Sequence, residues 1–142
     1  MSDEYQVAIE AEPDPDDMQA LVQGLTEFNA AHLGGEVPEY LLATVREASG
    51  TLAGGLLGAT YLGWLTIQVL WLNESARARG HGSALVAQAE AEALRRGCKR
   101  SFVETLDFQA LPFYEKHGYV VHSRIDGFPP GGARYALIKE LA

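Results

Sequence analysis

The 142 residues carry a net charge of −8 and a calculated pI of 4.9, with 47% hydrophobic residues. That is enough chain and apolar content for a single domain over residues 1–142, and the acidic balance excludes nucleic acid as a main partner, because phosphate binding needs a basic field. The lone cysteine, Cys98, excludes an internal disulfide or a cysteine zinc cluster, no apolar run approaches the roughly 20 residues of a membrane span, and the acidic start Met1–Glu12 is unlike a signal peptide, so a cytoplasmic setting is expected.

Tyr5 to Glu10 alternates apolar and polar residues, which predicts a half-buried strand. Pro13 to Asp17 is rich in helix-capping chemistry, and Met18, Leu21, Val22, Leu25 and Phe28 follow at helical spacing until Gly34 and Gly35. Tyr40 to Arg46, Thr51 to Tyr61 and Trp64 to Leu72 read as three strands, and Gly54, Gly55 and Gly58 predict a bend or bulge in the second. After a break at Asn73 to Gly82, an alanine-rich helix runs from near Ser83 to Gly97. A strand at Ser101 to Thr105, a short helix from Pro112 closed by Gly118, and strands at Tyr119 to Ile125 and Arg134 to Lys139 complete the chain. The succession predicts an α/β protein with a mixed, mostly antiparallel sheet of six to seven strands flanked by helices.

Charge is unevenly distributed. Acids dominate up to Glu47, whereas Arg77, Arg79, Arg95, Arg96, Lys99 and Arg100 outnumber Glu90 and Glu92 in the middle of the chain. An anionic cofactor suits the second region and a cationic substrate the first. Within the basic region, Arg77-Ala78-Arg79-Gly80-His81-Gly82-Ser83 joins a strand to a helix. Glycines there let the backbone turn tightly, and the unpaired N–H groups of the following helix form a seat for a pyrophosphate. A P-loop needs Lys-Ser/Thr after its last glycine, and Ser83-Ala84 stands there; a dinucleotide fingerprint needs glycine or alanine where Leu85 stands.

The loop instead resembles the Arg/Gln-x-x-Gly-x-Gly/Ala pattern of GNAT N-acetyltransferases, at Arg77, Gly80 and Gly82. Asp107 to Tyr119 resembles the family's second signature, in which a Phe-Tyr pair, here Phe113-Tyr114, opens a helix and Gly-Tyr, here Gly118-Tyr119, begins the next strand. The two occur in the family's order and spacing across Trp64 to Tyr119. Glu74 and Ala78 depart from the family's usual proline and glycine, and Asp107 from its usual asparagine.

The resemblance implies the GNAT fold and acetyl transfer from acetyl-CoA to a primary amine of a small molecule or a protein, by direct attack in a ternary complex. It implies that backbone groups of Leu70, Trp71 and Leu72 pair with the pantetheine arm, that a backbone N–H near Leu70 polarises the thioester carbonyl, and that amides of Ala78, Arg79, Gly80, His81, Gly82 and Ser83 hold the pyrophosphate beside Arg77. Asp107 is a further cofactor candidate and Tyr114 the acid for the leaving thiolate. Glu104 is the candidate base, with Asp107 the other carboxylate in reach. His32, His81, His117 and His122 show no metal-ligand spacing, so no metal is expected, and Cys98 reads as a buried apolar residue. The acceptor is expected to be cationic: a polyamine-like metabolite, an aminoglycoside-like or nucleoside antibiotic, or a protein N-terminus or lysine. A homodimer is compatible with the sequence. The alternatives are a non-catalytic acyl-CoA binding or sensing domain, which has no need of the Tyr114 hydroxyl, and a transferase of longer acyl chains.

Overall fold

The computed structural model describes residues 4–142. The chain divides into two compact units, one ending at Val37 and one spanning Pro38–Ala142. The first unit carries helix α1 (Pro15–His32). Asp14 caps it, its carboxylate accepting from the Asp16 N–H at 2.8 Å, and Pro15, Asp16 and Asp17 fill the first turn as the helix dipole favours. The strand expected at Tyr5 to Glu10 does not form: alternation alone fixes no structure unless a neighbouring strand supplies ladder partners.

The second unit contains β1 (Glu39–Arg46), β2 (Leu52–Tyr61), β3 (Trp64–Leu72), α2 (His81–Arg95), β4 (Arg100–Leu106), α3 (Leu111–Lys116), β5 (Val120–Asp126) and β6 (Ala133–Glu140). The six strands form one sheet in the order β1-β2-β3-β4-β6-β5. Every neighbouring pair is antiparallel except β3 and β4, which are parallel and joined through α2, as a crossover requires. The mixed, mostly antiparallel sheet with flanking helices is the architecture expected from the sequence.

The core lies between one face of this sheet and α2 with α3. Leu41, Leu56, Leu65, Ile67, Val103 and Leu137 point inward from the strands and meet Leu85, Val86, Ala89 and Ala93 of α2 and Tyr114 of α3. Cys98 is buried there, as an apolar residue would be. The small alanines let α2 lie close to the strands. Both helices end in the same way: Cys98 N–H bonds Ala93 C=O across Gly97, and Tyr119 N–H bonds Tyr114 C=O across Gly118, with both glycines in the left-handed region at φ +90° and +88°.

The glycines of β2 serve close approach. A Cβ on Gly58 would stand 2.6 Å from the Thr66 carbonyl oxygen, so β3 can lie beside β2 only if that position is bare. β2 is bulged against β1, where Val45 pairs with Gly54 and Arg46 with Leu52, leaving Ala53 as the extra residue; β3 is bulged against β2, where Leu57 pairs with Val69 and Gly58 with Ile67, leaving Gln68. The bulge expected in the second strand is therefore present beside Gly54, and the Gln68 bulge of β3 is one the sequence did not indicate.

Ala78 holds φ +59°, a left-handed conformation that a Cβ disfavours. Ala78→Gly should therefore stabilise the protein by about 1 kcal/mol, the relieved strain outweighing the added freedom of the unfolded chain. Urea unfolding checks this; an unchanged or lower midpoint contradicts it.

Candidate active site

The β3–β4 ladder is short. Pairing runs from Trp64↔Arg100 to Ile67↔Val103 and stops, although β3 continues to Leu72 and β4 to Leu106. Past this point β3 stays paired with β2, and β4 with β6. The two facing edges therefore separate, and the Gln68 bulge lies where they part. A slot of about 920 Å³ opens between them. Gln68 to Leu72 form one wall, Glu104 and Thr105 the other, and Phe113, Tyr114 and Gly82 close the end beneath the helices. Backbone donors and acceptors on the slot side of β3 have no neighbouring strand, so an extended ligand arm can pair with them as a strand would.

At one end of the slot the chain turns into α2. Asn73 caps a short 3-10 turn at Glu74–Ala76, its side-chain oxygen accepting from Ala76 N–H at 3.0 Å. Arg77 folds back so that its Nε donates to the Leu72 carbonyl at 3.0 Å, and it lines the slot. Gly80, at φ +83°, is the residue before α2 and has no side chain with which to cap it. Unlike α1, α2 has no acidic residue in its first turn. The N–H groups at its start are left to an outside anion, and the dipole strengthens that preference. A pyrophosphate fits this end of the site. The helix begins at His81, two residues before the sequence expectation, because Gly80 supplies the left-handed entry.

Tyr114 is buried and borders the slot. Its ring meets Phe113 edge-on at 5.3 Å and Tyr119 at 5.6 Å. Burial pushes its pKa up to about 12, and Tyr119 is raised for the same main reason. Tyr119 is fixed by a partly buried network: its hydroxyl donates to Glu90 at 2.9 Å and shares a 2.7 Å bond with Ser101, while Lys139 bonds the other Glu90 oxygen at 2.8 Å. These bonds tie α2, β4 and β6 to the residue that backs Tyr114, which holds its ring in place.

The other sequence-derived residues divide. Leu70, Trp71, Leu72, Arg77, Gly82, Glu104 and Tyr114 come together around the slot, and Ala78, Arg79, Gly80, His81 and Ser83 follow the chain into the start of α2. Asp107 faces β6 instead, where its carboxylate accepts from Ala133 N–H at 3.1 Å, and it is not among the slot's lining. Glu104 lines the slot with both oxygens engaged by Arg134, at 2.9 and 3.1 Å. Arg134 escaped the sequence reading: only the β4–β6 register, with Glu104 opposite Ala136, brings it within reach. Among the described residues no group of three or more histidine, cysteine or acidic side chains is placed to hold a metal. No helix among them is long and apolar enough to cross a membrane.

Comparison with known proteins agrees with this geometry. Residues 3–119 match the acetyltransferase (GNAT) family. The chain is 47% identical over 93 residues to the blasticidin-S acetyltransferase of Streptomyces morookaense, covering 65% of this chain and 68% of that protein. It is 36% identical over 101 residues to the acetyltransferase Atu2258 of Agrobacterium fabrum, covering 71% and 74% of the two chains. A solved structure from Agrobacterium tumefaciens, assigned as an acetyltransferase, superimposes with a TM-score of 0.87 at 29% identity, covering 96% of this chain and 99% of the other. The chain belongs to the GNAT acetyltransferase family, as an enzyme with the GNAT fold that uses acetyl-CoA.

Proposed function

We propose that the slot between β3 and β4 is where acetyl is transferred, and that the acceptor is an amine of a small molecule, blasticidin S or a cationic amine like it. The observation that carries the site is the position of Tyr114: a neutral phenol bordering a slot whose far wall is open backbone and whose end is an uncapped helix N-terminus. Similarity to a blasticidin-S acetyltransferase supports the acceptor class.

The slot-side backbone of Leu70, Trp71 and Leu72 receives the pantetheine arm. The bulge at Gln68 turns the β3 backbone just before Leu70, which directs an N–H toward the thioester oxygen and favours the charge that develops there. The amides from Ala78 to Ser83 hold the pyrophosphate, with Arg77 and Arg79 adding positive charge and His81 at the first helical position. Acetyl-CoA, when bound, supplies the activated carbonyl that the amine attacks.

Among the described residues Glu104 is the only acidic one lining the slot, and it attracts an ammonium and accepts its proton through water. Arg134 fixes the direction of that carboxylate. Tyr114 donates its phenolic proton to the departing sulfur and regains one from solvent. With its pKa near 12, that proton is in place throughout the physiological range, so turnover should not fall through loss of this acid below about pH 10.

Tyr114→Phe removes the hydroxyl and keeps the ring against Phe113 and Tyr119. With blasticidin S as acceptor, single-turnover transfer should fall by about 10²–10⁴ while acetyl-CoA affinity holds. Transfer at the wild-type rate would make Tyr114 a packing residue; no transfer to blasticidin S by the wild type, with transfer to other amines in a thiol-release panel, would move the acceptor class. Gly82→Val tests the cofactor seat. A Cβ at Gly82 would already lie 3.3 Å from the Phe113 ring, and the valine methyls extend farther into the end of the slot. Acetyl-CoA should bind at least tenfold more weakly, about 1.4 kcal/mol. Unchanged affinity by calorimetry, in a variant that folds, contradicts the placement.

A further inference from the structure

His117 takes no part in the chemistry above, yet it makes a contact between distant parts of the chain. Its Nε2 lies 2.9 Å from Ser83 Oγ, linking the end of α3 to the first turn of α2. Its ring is held against Phe113 at 4.6 Å, and Phe113 in turn lies under Gly82. The imidazole is thus oriented by packing on one side and offers one nitrogen to a hydroxyl at the proposed phosphate seat.

The hydroxyl has one hydrogen. If Ser83 donates it to Nε2, the oxygen can offer a phosphate only lone pairs, which repel it. If Nε2–H donates to Ser83 Oγ, the hydroxyl hydrogen is released and can be given to a phosphate oxygen, which accepts and never donates. Only the second arrangement lets Ser83 serve both partners. We infer that His117 is a positioning residue for cofactor binding: it donates Nε2–H to Ser83 and so turns the Ser83 hydroxyl toward the pyrophosphate. This rests on the placement of the pyrophosphate at the start of α2.

The test is a double-mutant cycle on acetyl-CoA affinity, measured by calorimetry. His117→Phe keeps a ring against Phe113 and removes the donor; Ser83→Ala removes the hydroxyl. Each should weaken binding about fivefold to tenfold, and the double variant no more than either alone, because both break one relay. His117→Gln places an amide N–H near the position of Nε2 and should restore most of the affinity. With S-acetylpantetheine as donor, which lacks the pyrophosphate, none of these changes should alter kcat/KM, whereas a merely structural role for the pair would lower both donors alike. Additive losses, or wild-type affinity in His117→Phe while Gly82→Val is impaired, would overturn the role of His117 and leave the cofactor seat standing. Wild-type affinity in both His117→Phe and Gly82→Val would overturn the seat as well.

Discussion

The site depends on a ladder that ends early. Two parallel strands normally gain by pairing along their full length, since each unpaired N–H or C=O removed from water must find another partner. Here β3 and β4 pair over Trp64–Ile67 and Arg100–Val103 and then part, each held by its other neighbour. The sheet remains continuous while a line of backbone groups is left available in its middle. A ligand with amide groups of its own can complete that line, and the pantetheine arm of acetyl-CoA is such a ligand.

What keeps the edges apart is local. The Gln68 bulge adds one residue to β3 and increases the twist at the point of separation, and the bare Gly58 lets β2 follow it closely. Below the gap, Tyr114 and Phe113 fill the space where the strands no longer meet, and Tyr119, bonded to Glu90 and Ser101, supports them from behind. The crossover through α2 then brings an uncapped helix N-terminus to one end of the same opening. The adjacency of the slot and the start of α2 follows from one connection, β3 to α2 to β4, and α3, which follows β4, adds the phenol of Tyr114.

The local features were legible in the sequence because their causes are local. The Trp64–Leu72 strand, the ends of α2 and α3 at Gly97 and Gly118, and the glycine loop each follow from residues that set their own backbone. Features that depend on register were not. Nothing near Glu104 in the chain indicates Arg134, which reaches it only because β4 pairs with β6, and nothing near Ser83 indicates His117, 34 residues on. The bulge of β2 beside Gly54 was legible through its glycines, whereas the Gln68 bulge of β3 was not, since it shows only in the pairing of β3 with β2. Tyr5 to Glu10 shows the opposite error: a pattern with the right period, and no ladder to make it a strand.

The most direct measurement is amide hydrogen exchange of the wild-type protein with and without acetyl-CoA. The account predicts that protection gained on binding concentrates in two segments that are distant in sequence, the slot-facing amides within Gln68–Leu72 and the loop amides from Ala78 to Ser83, with little change along β1, β5 and the far end of α2. Protection elsewhere in the chain, with exchange in both segments unaltered, would contradict the claim that the parted strands and the open helix end form the cofactor's seat.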